Sequence, residues 1–255
     1  MYLHIINLIS ISLVESKDCD PEAEAVILKD LDRTFPHNFI FQDKYGSGQR
    51  QLYHVLSAYS KYNKSTGYVQ GMGFITALLL TYMDQESSFF FLDCLMKKYG
   101  LEGFYLPDFP ELKKTFYVML CLMKKHIPKV YDVFKKNDVM PSMYASEWFI
   151  TLFTRELDFK ILVRIFDTLL LEGFKEIYRF ILGFVKLKEE ALVNAKGGIA
   201  GVMTAMKDIL QIKDVEELFK ISFSFSISRS FIKKCEEEFD KVKNDPNNEH
   251  MSLLL

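Results

Sequence analysis

Two strings in this 255-residue chain carry side chains that could take part in chemistry: Ile27-Leu28-Lys29-Asp30-Leu31-Asp32-Arg33-Thr34-Phe35-Pro36 and Tyr68-Val69-Gln70-Gly71-Met72. Asp30 and Arg33 stand at i and i+3, neighbours on one helix face, so a carboxylate there can hold a guanidinium. Gln70 offers a carboxamide beside Gly71, whose missing side chain lets backbone come close to another molecule. A cation and a carboxamide are the two groups that the phosphoryl-transfer site of a slow GTPase lacks, the first to neutralise developing charge and the second to orient the attacking water. Each string also has a plainer reading. Asp30 and Arg33 suit a surface ion pair worth about 0–1 kcal/mol, and Gln70 suits a solvent-facing residue in the first turn of a helix. Gly71-Met72-Gly73 is too sparse for a phosphate loop and equally suits close helix packing.

Other chemistries lack their parts. HExxH, GxSxG and GxxxxGK[ST] are absent, which removes the usual signatures of metalloprotease, serine hydrolase and P-loop nucleotide binding. His4, His37, His54, His126 and His250 form no ligand pair, and Cys19, Cys94, Cys121 and Cys235 show neither CxxC pairing nor histidine at metal-ligand spacing. No metal or cofactor site is expected, and the cysteines read as reduced thiols of a cytosolic protein. Lys plus Arg number 32 against 34 Asp plus Glu, so no basic excess points to nucleic acid. With 49% hydrophobic and 15% aromatic residues the chain can fill a large core. The apolar start, residues 1–14, is too short to span a bilayer at about 20 residues. It also lacks the basic n-region and cleavage site of a signal peptide.

The elements that must position the two strings read as helices. Residues 23–31 are helical, and Thr34-Phe35-Pro36 breaks the pattern, placing Arg33 at a helix end. Residues 41–48 read as a surface loop. Leu52, Val55, Leu56 and Tyr59 then recur at i, i+3, i+4 and i+7. Residues 68–83 read as a buried helix beginning at the Gln70-Gly71 pair. Residues 89–99 form another, and 100–110 a loop without regular structure. Phe116 to Val130 predicts one long amphipathic helix, kinked at Pro128, whose lysines, Lys124-Lys125 and Lys135-Lys136, make a solvated face. Trp148, Phe149, Leu152 and Phe153 read as core. Asp158 can cap a helix at 161–171 that Gly173 closes. Residues 174–192 make a further helix, and two or three shorter ones follow to Phe239. Arg164 and Asp167 read as a buried or interfacial pair tying two helices. Residues 244–255 are expected to fray. Nothing alternates with period two for long, so almost no sheet is expected.

With these residues in view the chain resembles the TBC-domain family, helical GTPase-activating proteins for Rab GTPases. Ile27-x-x-Asp30-x-x-Arg33 followed by Thr34-Phe35-Pro36 matches that family's arginine-finger motif, and Tyr68-x-Gln70-Gly71-Met72 its glutamine-finger motif. Gly48-Gln49-x-x-Leu52-Tyr53-x-Val55-Leu56-x-Ala58-Tyr59, Ser142-Met143-Tyr144-Ala145-Ser146-Glu147-Trp148-Phe149, Arg164-Ile165-Phe166-Asp167 and Leu171-Glu172-Gly173 follow in the family's order. The similarity covers roughly residues 27–194.

The resemblance implies an all-α, two-lobed domain with a core at 26–194, completing helices at 195–243 and a tail at 244–255. It implies that Arg33 and Gln70 act in trans on a GTP-bound Rab, oriented or supported by Asp30, Tyr68 and Gly71, with Arg50 near the partner by position alone. GTP and Mg²⁺ would then belong to the GTPase, this chain would be an activator instead of the hydrolase, a monomer, and it would work in the cytoplasm at endomembranes reached through the Rab. The alternative is a non-catalytic Rab-binding or scaffold module. The chain departs from the family at Val69 and Gly73, where Cys and Asn are common, and at Phe166 and Asp158, where Trp and Pro are usual. Residues 1–25 do not resemble the Trp-bearing helical segment that family members usually carry upstream, so the N-terminal lobe is expected to be short of a helix.

Overall fold

The structure is a computed structural model; it describes residues 21–245 and 248–254, so the expectations for residues 1–20 lie outside it. Among the described residues there is no strand. The chain divides into two compact units, one running through Phe109 and including Ile150–Arg155, the other comprising Pro110–Phe149 and the residues from Glu156 onward.

In the first unit the helices are α1 (Pro21–Leu31), α2 (Ser47–Tyr62), α3 (Met72–Leu80) and α4 (Gln85–Lys98). Every residue of α3 is buried, as a nine-residue apolar run with a single threonine requires, and it packs on α2 and α4. α2 also receives α1, burying Leu52, Val55, Leu56 and Tyr59 along the stripe that their spacing marks. Asp84 caps α4 by accepting from the Ser87 N–H. The segment after Gly100 is not wholly irregular, since Leu101–Phe104 forms a 3₁₀ turn with Leu101 and Phe104 buried. Nor are residues 41–48 simply surface loop: Phe41 is buried and α2 already begins at Ser47.

In the second unit α5 (Pro110–His126) and α6 (Pro128–Lys136) stand where one kinked helix is predicted. Pro128 cannot continue a helix but suits its first turn, so Ile127 adopts a non-helical conformation and a new helix starts. The short α7 (Ser146–Ile150) follows, with Trp148 and Phe149 buried as expected. α8 (Phe159–Glu172) is capped by Asp158, whose carboxylate accepts from the Lys160 N–H, and is closed by Gly173 at φ +86°. The expected helix at 174–192 is two pieces, α9 (Lys175–Leu187) and α10 (Glu189–Val193), and α11 (Gly198–Met206), α12 (Val215–Ser224) and α13 (Arg229–Val242) complete the unit.

Two side-chain expectations change here. Arg164 does not pair with Asp167, which is exposed. It donates to Glu216 at 2.6 Å and lies over the Phe219 ring at 4.1 Å, so the tie runs from α8 to α12 at the surface. The expectation fails because i, i+3 proximity on one helix lost to a longer carboxylate arriving from a neighbour. The tail from Glu249 to Leu253 is also docked, while Asn244 and Asp245 are exposed. Met251 and Leu253 are 2% exposed, the buried His250 ring meets the Tyr131 hydroxyl at 3.0 Å, and Glu249 pairs with both Lys124 and Lys135. The lysines thus do more than line a solvated face, and Lys125 sits 4.2 Å from the centre of the Phe231 ring.

Candidate functional site

Asp30 is the centre of the site. It lies on the last turn of α1, 3% exposed, while Arg33, three residues on and past the helix end, keeps 47% of its side chain in solvent. Arg33 donates from Nη2 to Asp30 Oδ1. The other carboxylate oxygen, Oδ2, accepts from the Tyr68 hydroxyl at 2.6 Å. One buried carboxylate therefore holds both strings. Burial and the adjacent Asp30 charge push the Tyr68 pKa far up, so the phenol stays protonated and remains a donor. The chain leaves α1 through Thr34, whose hydroxyl donates to the Asp30 carbonyl at 2.7 Å, and the Phe35 ring meets Phe74 of α3 edge-on at 5.8 Å. Those contacts fix the segment that carries Arg33.

Gln70 does not begin a helix. Tyr68 to Gly71 form a turn ahead of α3, closed by Met72, whose N–H donates to the Val69 carbonyl and whose sulfur accepts from the Val69 N–H, both at 3.2 Å. Gly71 ends this turn at φ +110°, a conformation closed to residues with a Cβ. A Cβ there would also stand 2.9 Å from Ile150 Cγ2. Gln70 itself is exposed, and its carboxamide has no hydrogen bond to another described residue. Gly73 lies under the same cluster, where an added Cβ would come within 3.3 Å of both Thr34 Oγ1 and the Tyr68 hydroxyl. A small residue here, in place of the family's usual Asn, lets the Tyr68 ring and Thr34 sit together.

The segment 150–155 was not singled out by sequence, yet it supports the glutamine turn. The Ile150 carbonyl accepts from the buried Tyr105 hydroxyl at 2.5 Å, holding the residue that abuts Gly71. Leu152 and Phe153 follow with φ of +50° and +64°, both buried. Only the Leu152-Phe153 apolar pair hinted at this in the sequence, and apolar character does not reveal a left-handed backbone. Arg50, on the first turn of α2, is exposed and lines a groove with Leu31, Asp32 and Tyr45. Among the described residues there is no cluster of histidine, cysteine, aspartate or glutamate fit to hold a metal, and no helix is long and apolar enough to cross a membrane.

The family model described as the Rab-GTPase-TBC domain matches residues 7–193. The chain belongs to that family. Its match begins inside the segment 1–25 that sequence reading set apart. The chain is similar to the "GTPase-activating protein GYP5" of Saccharomyces cerevisiae, at 37% identity over 174 residues, covering 68% of this chain and 19% of that protein. It is also similar to the "Ecotropic viral integration site 5 ortholog" of Drosophila melanogaster, at 32% over 223 residues, 85% of this chain and 27% of that one. The TBC chain thus spans about a fifth to a quarter of the length of these relatives. The crystal structure of a Chlamydomonas flagellar RabGAP TBC domain superposes with a TM-score of 0.69 at 24% identity, covering 86% of this chain and 71% of that one, which places this TBC chain in the same all-α fold.

Proposed function

We propose that this chain is a GTPase activator for a GTP-bound Rab-type GTPase, supplying Arg33 and Gln70 to the partner's nucleotide site in trans. The observation that carries the reading is the doubly used Asp30 carboxylate, which presents an exposed guanidinium and anchors the turn bearing an exposed carboxamide. A guanidinium has five donor hydrogens. Asp30 is the acceptor that Arg33 has among the described residues, so further donors stay available for a phosphate. Asp30 limits where the guanidinium can go, and a cation placed beforehand costs less reorganisation when charge develops between the β- and γ-phosphates. An arginine supplied in trans is worth about 10³–10⁵ in rate, roughly 4–7 kcal/mol of transition-state stabilisation. Asp30 is buried while 47% of the Arg33 side chain stays in solvent, so the carboxylate holds the guanidinium from one side and leaves its other side accessible.

Gln70 orients the attacking water through its carboxamide, with the thin backbone at Gly71 giving room for close approach. Tyr68 is a positioning residue, acting through Asp30. GTP and its Mg²⁺ arrive with the GTPase as substrate, and the bond is cleaved in the partner's site. The chain works as a monomer in vesicle trafficking, in the cytoplasm, reaching endomembranes through the lipid-anchored Rab. Phosphate release from a panel of GTP-loaded Rab GTPases, measured with the wild type beside Arg33→Ala, tests this. Acceleration on some members that disappears with Arg33→Ala is the expected result. Binding without acceleration on any member would instead make the chain a scaffold.

A further inference from the structure

Next to Arg33 along the chain, a groove of about 440 Å³ opens on the first unit, lined among others by Leu28, Lys29, Leu31, Tyr45, Gln49 and Arg50. Its floor is buried, with Leu31 at 8% and Gln49 at 5% exposure, while Leu28 at 49% and Tyr45 at 73% stand on the rim. Gln49 shapes it. Its Nε2 donates to the Phe41 carbonyl at 3.1 Å and its Oε1 accepts from the Tyr45 N–H at 3.0 Å, fastening the loop before α2 to the helix. Tyr45 sits at φ +62°, a left-handed conformation that costs a residue with a Cβ about 1–3 kcal/mol. Gly48 lets this loop lie close, since a Cβ there would fall 2.0 Å from the Ile40 carbonyl oxygen. An aromatic ring is thus displayed to solvent by a fixed loop instead of turned into the core.

The charge around it is uneven. Lys44 is neutralised by Asp32 at 2.9 Å, but Lys29 and Arg50 are exposed and form no ion pair among the described residues. Exposed tyrosine and arginine beside the apolar Leu28 and Leu31 is the composition of an interface core. We propose that this groove is a recognition subsite for the GTPase, receiving an apolar side chain flanked by a carboxylate from the partner surface that adjoins its nucleotide. The occupant follows from position and charge: Leu31 and Asp32 run directly into Arg33, so a partner whose phosphates meet Arg33 brings neighbouring surface to the groove, and two cations that form no ion pair among the described residues favour an acidic residue there. The subsite rests on the Rab-GTPase reading above.

The test uses the full chain and a panel of Rab GTPases. Binding is measured to each member loaded with a non-hydrolysable GTP analogue, and phosphate release to the same member loaded with GTP, for wild type, Arg50→Glu, Tyr45→Ala and Arg33→Ala. Melting temperatures verify that the variants fold, which the exposure of both side chains favours. Arg50→Glu and Tyr45→Ala are expected to weaken binding and raise KM about 10-fold, equivalent to about 1.4 kcal/mol each, with kcat close to wild type. The Arg50→Glu loss shrinks at high salt, whereas Arg33→Ala loses kcat and keeps binding. Wild-type affinity in both groove variants on a member that is bound and accelerated would overturn the subsite and leave the activation reading standing. Binding that both variants lose, without acceleration by any form, would retain the subsite and overturn activation. A wild type that binds no member overturns both.

Discussion

Gln70 is exposed and Arg33 keeps 47% of its side chain in solvent, so their removal should be felt mainly in rate. Arg33→Ala is expected to lower the stimulated rate by about 10³-fold or more, and Gln70→Ala to remove most of the remaining stimulation, while circular-dichroism melting curves stay near the wild type. Equal phosphate-release rates for all three proteins would refute the two-finger assignment. Gly71→Ala has the opposite profile. Its φ of +110° and the 2.9 Å approach to Ile150 are both lost to a methyl group, so the variant should unfold about 1–3 kcal/mol more easily. Its activity should fall as well, because the turn that aims Gln70 is rebuilt; a denaturant melt coincident with wild type would show that the strain is not there. Asp30 and Arg33 were legible as a pair at i and i+3. That Tyr68 would take the carboxylate's other oxygen was not, because a contact across 38 residues leaves no mark in local spacing.

At the scale of elements, local signals were readable where local chemistry decides. Asp158 and Gly173 bracket α8 as their residue types require, and Asp158→Ala should cost about 1 kcal/mol by leaving the Lys160 N–H uncapped, measurable as a shift in denaturant midpoint. Helix lengths were less readable. Apolar periodicity runs straight through Ile127-Pro128 and through Leu187-Lys188, since the core asks for apolar residues whether or not the backbone is continuous, yet the helices break at both places. The glutamine string was read as a helix start for the same reason. The apolar run of α3 follows directly on Tyr68 to Gly71, but the positive φ of Gly71 sets those residues outside the helix. Arg164 went to Glu216 and not Asp167 because the packing of α12 on the molecule is tertiary information.

For the molecule as a whole, the second unit carries a built-in response to acid. His250 lies against Tyr117 and Tyr131, with Glu249 3.9 Å from its Nε2 and Lys124 and Lys135 close by, and burial lowers its pKa below the ordinary 6.5. His126 is lowered as well, first by burial. The unfolded chain therefore binds protons at a higher pH than the folded one, so stability is full above about 6.5 and declines as pH falls below it. Melting temperatures taken from pH 7.5 down to 5.5 should drop, and His250→Gln should flatten that slope; identical slopes would exclude His250 as a contributor. The all-helical class was plain from the absence of period-two alternation, while the docked tail was hidden by its polar composition. The shared carboxylate at Asp30 has one more consequence. Because Arg33 and Tyr68 are tenants of the same two oxygens, substitutions in the two motifs should not combine additively: a double-mutant cycle between Tyr68→Phe and Arg33→Lys should return a coupling free energy, and sequence drift in one string constrains what the other can tolerate.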